Sequence, residues 1–216
     1  MRLVLVGPPG SGKGTLAERL VERLGLKAIG TGEILRTAIR NRTPTGLLIE
    51  PAMKQGMLVP DSVVNEVIAE LFHRPDRPEK FVLDGYPRTL AQAVAFDALL
   101  ANESLPLDGV VNLTIADDEV VRRISGRRLC TNLACGALFH VVARPPRLPG
   151  ICDKCGAPLA VREDDRESTI RRRLVEFHKN TDFLLEHYAK TGLLRNVSAI
   201  DPPDVIFSTV LQQLAK

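Results

Sequence analysis

Residues 7–15 read Gly-Pro-Pro-Gly-Ser-Gly-Lys-Gly-Thr and follow directly on the apolar run Leu3-Val4-Leu5-Val6. A continuous apolar run of this kind predicts a strand buried on both faces. The glycine-rich turn after it opens into a predicted helix, because Leu16, Ala17, Leu20, Val21 and Leu24 recur at helical spacing. Gly7, Gly10, Gly12 and Gly14 admit backbone conformations closed to other residues, so successive N–H groups can converge on one hollow. The helix N-terminus adds a partial positive charge and Lys13 a full one. The stretch Gly10, Ser11, Gly12, Lys13, Gly14 and Thr15 is therefore expected to wrap a nucleotide polyphosphate. The spacing Gly7-x4-Gly12-Lys13 matches a P-loop, with Gly14 where Ser or Thr is usual and Thr15 offering a hydroxyl one position later.

Four further apolar runs, Lys27–Ile29, Phe81–Leu83, Val110–Ile115 and Leu193–Val197, alternate with helical patterns. This alternation predicts an α/β chain, a P-loop core with a five-stranded parallel sheet covered by helices on both faces. Asp117 is the expected N-cap of a helix carrying Val120, Val121 and Ile124. Leu174, Phe177, His178, Leu184, Leu185 and Tyr188 mark a long helical stretch before the last strand. Two segments break the alternation. Residues 30–59 read as a small helical insertion punctuated by Pro44, Gly46, Pro51 and Gly56, and residues 126–165 hold all four cysteines with little helical periodicity. Each is too short for a core of its own, so both are read as flaps inserted into a core of residues 1–29, 60–125 and 166–216.

A chain of 216 residues at 44% hydrophobic can bury one good core. A net charge of +3 is too small to imply general nucleic-acid binding. Of the 29 basic residues 21 are Arg, which suits bidentate phosphate contacts, although codon bias would produce the same excess. No run approaches the roughly 20 apolar residues of a membrane span, and no signal-peptide pattern precedes the first strand. The expectation is a cytoplasmic protein without a membrane partner.

In a reducing compartment, four cysteines point to metal ligation before disulfides. Sixteen residues separate the pair Cys130 and Cys135 from the pair Cys152 and Cys155, in two knuckles that resemble a zinc ribbon. Four thiolates suit tetrahedral Zn²⁺ and leave no open coordination position, so one structural zinc per chain is expected. Metal binding would then supply the stability that the flap lacks in core. His140 in place of a cysteine, a disulfide and free thiols remain open alternatives.

The third strand ends in Phe81-Val82-Leu83-Asp84-Gly85-Tyr86-Pro87-Arg88. Ligands of open α/β sheets bind outside the carboxyl ends of the strands, which brings Asp84 and Arg88 beside the phosphate loop. An acid there can orient water on magnesium, and an arginine can hold a second phosphate. Taken singly, Asp84 reads equally well as a turn or helix cap and Arg88 as a surface residue.

The phosphate loop, Thr31-Gly32-Glu33-Ile34-Leu35-Arg36, Leu83–Arg88, Arg123-Ile124-Ser125-Gly126-Arg127-Arg128, Asp164-Asp165 and Arg173-Leu174-Val175-Glu176 occur in this order. Together they resemble the nucleoside monophosphate kinases, and specifically the long-lid bacterial adenylate kinases with a zinc-binding lid. The resemblance implies transfer of a phosphoryl group from MgATP to AMP, giving two ADP. It implies that Lys13 follows the transferred group, that Arg36 and Arg88 hold the AMP phosphate, and that Arg123 and Arg127 reach ATP from the lid hinge. Arg162 and Arg173 would contact phosphates once the lid closes. Met57, Leu58, Val59, Gly85, Tyr86 and Pro87 would line the AMP pocket. Of the adjacent Arg171, Arg172 and Arg173, the match selects the last. Asp201-Pro202-Pro203-Asp204 departs from the family's glycine-containing adenine loop, and Pro202 is the expected contact. Thr31 and Gln92 stand where adenylate kinases carry Thr and Gln, whereas pyrimidine enzymes tend to have Ala and Asn. A CMP or UMP kinase and a GTP:AMP phosphotransferase are the alternatives within the class. A zinc-ribbon regulator that binds ATP and nucleic acid would leave Asp84–Arg88 unexplained. A monomer is the family expectation.

Overall fold

In the computed structural model, which describes residues 1–162 and 165–215, β1 (Arg2–Val6) is the middle strand of the main sheet. β2 (Lys27–Gly30), β3 (Phe81–Asp84), β4 (Gly109–Thr114) and β8 (Leu194–Ser198) complete it in the order β2-β3-β1-β4-β8, all parallel. Alternate residues of β1 serve opposite faces. Leu3 and Leu5 join Leu16, Leu20, Val111, Phe207 and Val210 on the side of α1 (Lys13–Leu24) and α8 (Pro203–Leu214). Val4 and Val6 join Phe72, Phe96, Leu184 and Tyr188 on the side of α4 (Asp61–Phe72), α5 (Leu90–Asn102) and α7 (Glu167–Lys190). Burial on both sides is why the strand reads as an unbroken apolar run. Phe72, Phe81, Phe96 and Tyr86 meet edge to face, with ring centroids 5.1–6.5 Å apart, and anchor the second layer.

The five expected strands are all present, with ends shifted by a residue. Asp117 does not cap. Ala116 takes the N-cap position of α6 (Asp117–Ser125) without a side-chain cap bond, and Asp117 is the first helical residue. Its carboxylate meets His178 Nε2 of α7 at 2.9 Å, while Asp117, Asp118 and Glu119 supply negative charge at the positive end of the helix.

Between β2 and α4 lie α2 (Thr31–Arg40) and α3 (Pro44–Lys54). Thr43 caps α3 by accepting from the Gly46 N–H at 3.0 Å, and Pro44 follows at a position where no amide donor is needed. Pro51 lies inside the helix and does not end it. Gly46 is where α3 crosses α2: a Cβ there would sit 2.1 Å from the Ala38 carbonyl oxygen. Gly46→Ala is therefore expected to force the two helices apart and destabilise the protein by about 2 kcal/mol or more, read as a lower urea midpoint.

Among its described residues the cysteine segment holds no α-helix. β5 (Arg127–Cys130) pairs antiparallel with both β6 (Leu138–His140) and β7 (Leu159–Ala160). The buried cluster of this small sheet is Cys130, Ala137, Phe139 and Cys152. Among the described residues, no helix is long and apolar enough to cross a membrane.

Candidate active site and lid metal centre

The turn between β1 and α1 has the expected form. Gly7, Gly10 and Gly12 take positive φ of 143°, 76° and 98°, whereas Gly14 does not and lies in the first turn of α1. At Gly7 a side chain is excluded twice over, since a Cβ would also lie 2.7 Å from the Leu113 carbonyl oxygen. Gly12 is the N-cap of α1. Ser11 is fully buried, and its Oγ has no hydrogen-bond partner among the described residues. Gly14 and Thr15 are exposed.

Lys13, the first residue of α1, folds its side chain back over this turn, and Nζ donates to Gly7 O at 2.7 Å and Pro8 O at 2.9 Å. Burial pulls its pKa down to about 8; Asp84 opposes the shift, and Arg88, Arg173 and Arg127 add to it. In the free protein Lys13 is therefore charged below pH 8 and loses its proton as the pH rises through that value. An anionic phosphate binds the charged form, so kcat/KM for ATP is expected to fall as the pH rises above about 8, on a profile measured with the free enzyme as reference.

Lys13 looks into an open cleft. Arg36 of α2, Arg88 and Arg173 line the same cleft, as do Thr31, Gly85, Pro87, Gln92 and the segment Met57, Leu58, Val59. Arg88 follows the end of β3, and its Nε donates to Gly85 O at 2.7 Å. Burial lowers its pKa; Asp84 raises it and the facing Arg36 lowers it. Arg36 disfavours the charge on Arg88, and two guanidiniums facing one cleft beside Asp84 form a receptor for an anion. Arg36 is held by Glu33, Nε to Oε2 at 3.1 Å, and Glu33 also pairs with Arg40. Thr31 is buried and donates from Oγ1 to the Asp84 carbonyl at 3.0 Å.

Other expected residues lie elsewhere. Tyr86 turns into the core, where its hydroxyl donates to Asn65 Oδ1 at 2.7 Å and Gln92 O at 3.2 Å; burial raises its pKa. Arg123 stays on α6, ion-paired with Glu119 at 2.8 Å. Pro202 is the N-cap of α8, next to the Asp204 carboxylate that ties Arg19 and Arg23 of α1 to α8. Arg162 does not line the cleft; its carbonyl accepts from the Asp165 N–H at 3.1 Å. Asp164 lies outside the described residues.

Sequence reading missed Glu176, Phe177 and Thr181 as cleft residues of α7. The helical period of Leu174, Phe177 and Leu184 marks that face, but does not say that it opens on a ligand. It also missed the work of Asp165, whose buried carboxylate takes Arg127 through both guanidinium Nε and Nη2 and lies 4.0 Å from Arg173 Nη1. One carboxylate thus orients two of the arginines that act on Lys13.

The four cysteine sulfurs form a cluster, all within 4.8 Å of one another, with Cys130 to Cys155 at 3.4 Å and Cys135 to Cys152 at 3.7 Å. Zinc–sulfur bonds of about 2.3 Å give a tetrahedron with edges of about 3.8 Å, so the four thiols fit a zinc ion. None is in a disulfide. His140 is not a member: its Nδ1 accepts from the N–H groups of Val142 and Ala143.

A glycine-rich phosphate loop, a lysine bent over it and an arginine pair across one cleft define a P-loop enzyme that handles two phosphate-bearing ligands. The family model for adenylate kinase matches residues 5–193. An adenylate kinase of Carboxydothermus hydrogenoformans is 42% identical over 216 residues, covering 100% of both chains. One of Methanothrix thermoacetophila is 42% identical over all of this chain and 99% of its own. One of Caldicellulosiruptor bescii is 45% identical over 194 residues, 90% of this chain and 89% of its own. The chain belongs to the adenylate kinase family.

Proposed function

We propose that this protein transfers the terminal phosphoryl group of MgATP reversibly to AMP, giving two ADP. The observation that carries the reading is the meeting of Lys13, Arg36 and Arg88 in one cleft at the carboxyl end of the sheet, with Asp84 near enough to favour the charge on Lys13 and Arg88. Gly10 to Thr15 wrap the ATP phosphates, and Lys13 exchanges its bonds to Gly7 O and Pro8 O for the transferred group. Arg36 and Arg88 hold the AMP phosphate, so that acceptor and donor approach in line. Thr31, Gln92 and the Met57–Val59 backbone bound the adenine of AMP. Arg127 and Arg173, oriented by Asp165, neutralise charge that develops in transfer, and Arg123 and Arg162 join them when the lid closes. Phosphoryl transfer asks for alignment and charge stabilisation and needs no nucleophile from the protein. Magnesium bound with ATP would supply neutralisation of phosphate charge, and Asp84 would be the carboxylate that orients its water.

Cys130, Cys135, Cys152 and Cys155 would hold one structural zinc, away from the transfer. The adenine reading rests on Thr31 and Gln92 both lining the acceptor side. We further read the protein as a monomer of the cytoplasm, in keeping with its family. The test is a coupled assay of ATP and GTP against AMP, CMP, UMP and GMP. ATP with AMP should be the fastest pair by at least about tenfold, and faster turnover of CMP or UMP, or of GTP as donor, would overturn the assignment.

A further inference from the structure

Gln92 is 2% exposed and lines the acceptor cleft, and both ends of its carboxamide are gripped by neighbours. Oε1 accepts from the Arg88 backbone N–H at 2.7 Å, and Nε2 donates to Asp61 Oδ1 at 2.7 Å. Asp61, the first residue of α4, has its second oxygen occupied as well, since Thr89 Oγ1 donates to Oδ2 at 2.8 Å. Thr89 in turn accepts from the Gln92 N–H at 3.1 Å, and Tyr86 donates to the Gln92 carbonyl. The residue is held at its backbone and at both ends of its side chain.

A carboxamide carries two N–H donors and two oxygen lone pairs. With one of each committed to Asp61 and Arg88, one donor and one acceptor remain. Which end is which is decided by the partners. A carboxylate only accepts and a backbone N–H only donates, so the flipped amide would set oxygen against carboxylate and N–H against N–H.

We propose that Asp61 is a specificity-determining positioning residue: it fixes the flip of the Gln92 carboxamide and so selects a 6-amino over a 6-oxo purine in the acceptor site. This rests on the reading of the cleft as the AMP site. A 6-amino purine presents an amino donor beside a ring acceptor, which complements the remaining acceptor and donor of Gln92. A 6-oxo purine carries an oxygen acceptor there and a protonated ring nitrogen beside it, which reverses the pattern. Only the flipped amide would match it, and Asp61 opposes that flip. Asp61 touches no substrate atom; it acts through Gln92.

The experiment compares AMP with IMP, which share phosphate and ribose and differ at the 6-position, as acceptors for the full-length wild-type protein, D61N and Q92A. In D61N the amide at position 61 offers either a donor or an acceptor, so the carboxylate's opposition to the flip is lost and only the Arg88 N–H still favours the original orientation. The AMP-to-IMP ratio of kcat/KM should fall about tenfold or more, with the loss appearing in KM for AMP and a gain for IMP. A purely structural role would lower both acceptors together and keep the ratio. An unchanged ratio in D61N beside a collapsed ratio in Q92A overturns the role of Asp61 alone. An unchanged ratio in Q92A overturns the reading of the base site itself. Should D61N fail to fold, Asp61→Ser, whose hydroxyl also both donates and accepts, carries the same test with the same outcomes.

Discussion

Lys13→Ala is expected to lower kcat about 10³-fold or more while the unfolding temperature stays near that of the wild type. The two halves of this expectation come from one geometry. Lys13 Nζ is bonded to Gly7 O and Pro8 O, carbonyls of a turn that opens on the cleft, so water can replace it there. Burial already disfavours its charge, which Asp84 only partly offsets, so removing the ammonium relieves a folding cost as it removes two hydrogen bonds. In transfer the balance reverses. The moving phosphoryl group brings negative charge into a site where Arg88, Arg127 and Arg173 are all within electrostatic reach of Lys13, and none of them grows from the turn that wraps the donor phosphates. A kcat within tenfold of wild type in purified Lys13→Ala would remove Lys13 from the transfer. A drop in unfolding temperature of 10 °C or so would instead show that the lysine holds the turn together.

What the sequence made legible was local or doubly buried. The phosphate loop is nine consecutive residues whose function follows from backbone freedom and one side chain, so it needs no knowledge of distant contacts. β1, β3 and β4 could be found because burial on both faces keeps most polar residues out of them. Arg88 and Asp84 followed from a general rule about strand ends. The rest depended on pairings across the chain. Asp117 resembles a cap until His178, 61 residues away, takes its carboxylate. Tyr86 resembles a pocket residue until Asn65 draws its hydroxyl inward. Arg127 finds Asp165 38 residues later, and Asp61 finds Gln92 across 31. The lid strands, two to four residues long and only partly buried, carry too few alternations to read. Its cysteines were legible because ligand spacing survives where periodicity does not.

Removing zinc should have the larger structural effect. Apart from Cys130 and Cys152 themselves, the buried cluster of the small sheet consists of Ala137 and Phe139, with Cys135, Ala157 and Leu159 at its margin. That is too little apolar area to offset the entropy of ordering some 35 residues. The knuckles are closed by backbone bonds, Cys130 N to Ala137 O and Cys152 N to Ala157 O, each 2.9 Å, and are joined to each other by the sulfur cluster, the two-residue pairing of β5 with β7 and the Thr131 bonds to Pro158 O. Stripping the metal with a chelator, magnesium kept in excess, should therefore loosen the lid and lower the unfolding temperature by about 10 °C. Cys152→Ser, at the most buried cysteine but one, should do the same and reduce zinc from one per chain. Amide exchange should rise across β5, β6 and β7 while the protection of β1 and β4 holds. Below the new transition, turnover should fall only partly, because Lys13, Arg36, Arg88 and Asp84 stand outside the lid. The part that is lost belongs to Arg127, whose strand β5 would no longer hold it against Asp165, and to water entering a lid that closes poorly. Metal analysis that finds no zinc in protein purified without chelator would overturn the site. Immediate loss of all turnover on chelation, with the fold intact, would mean that the metal takes part in the transfer.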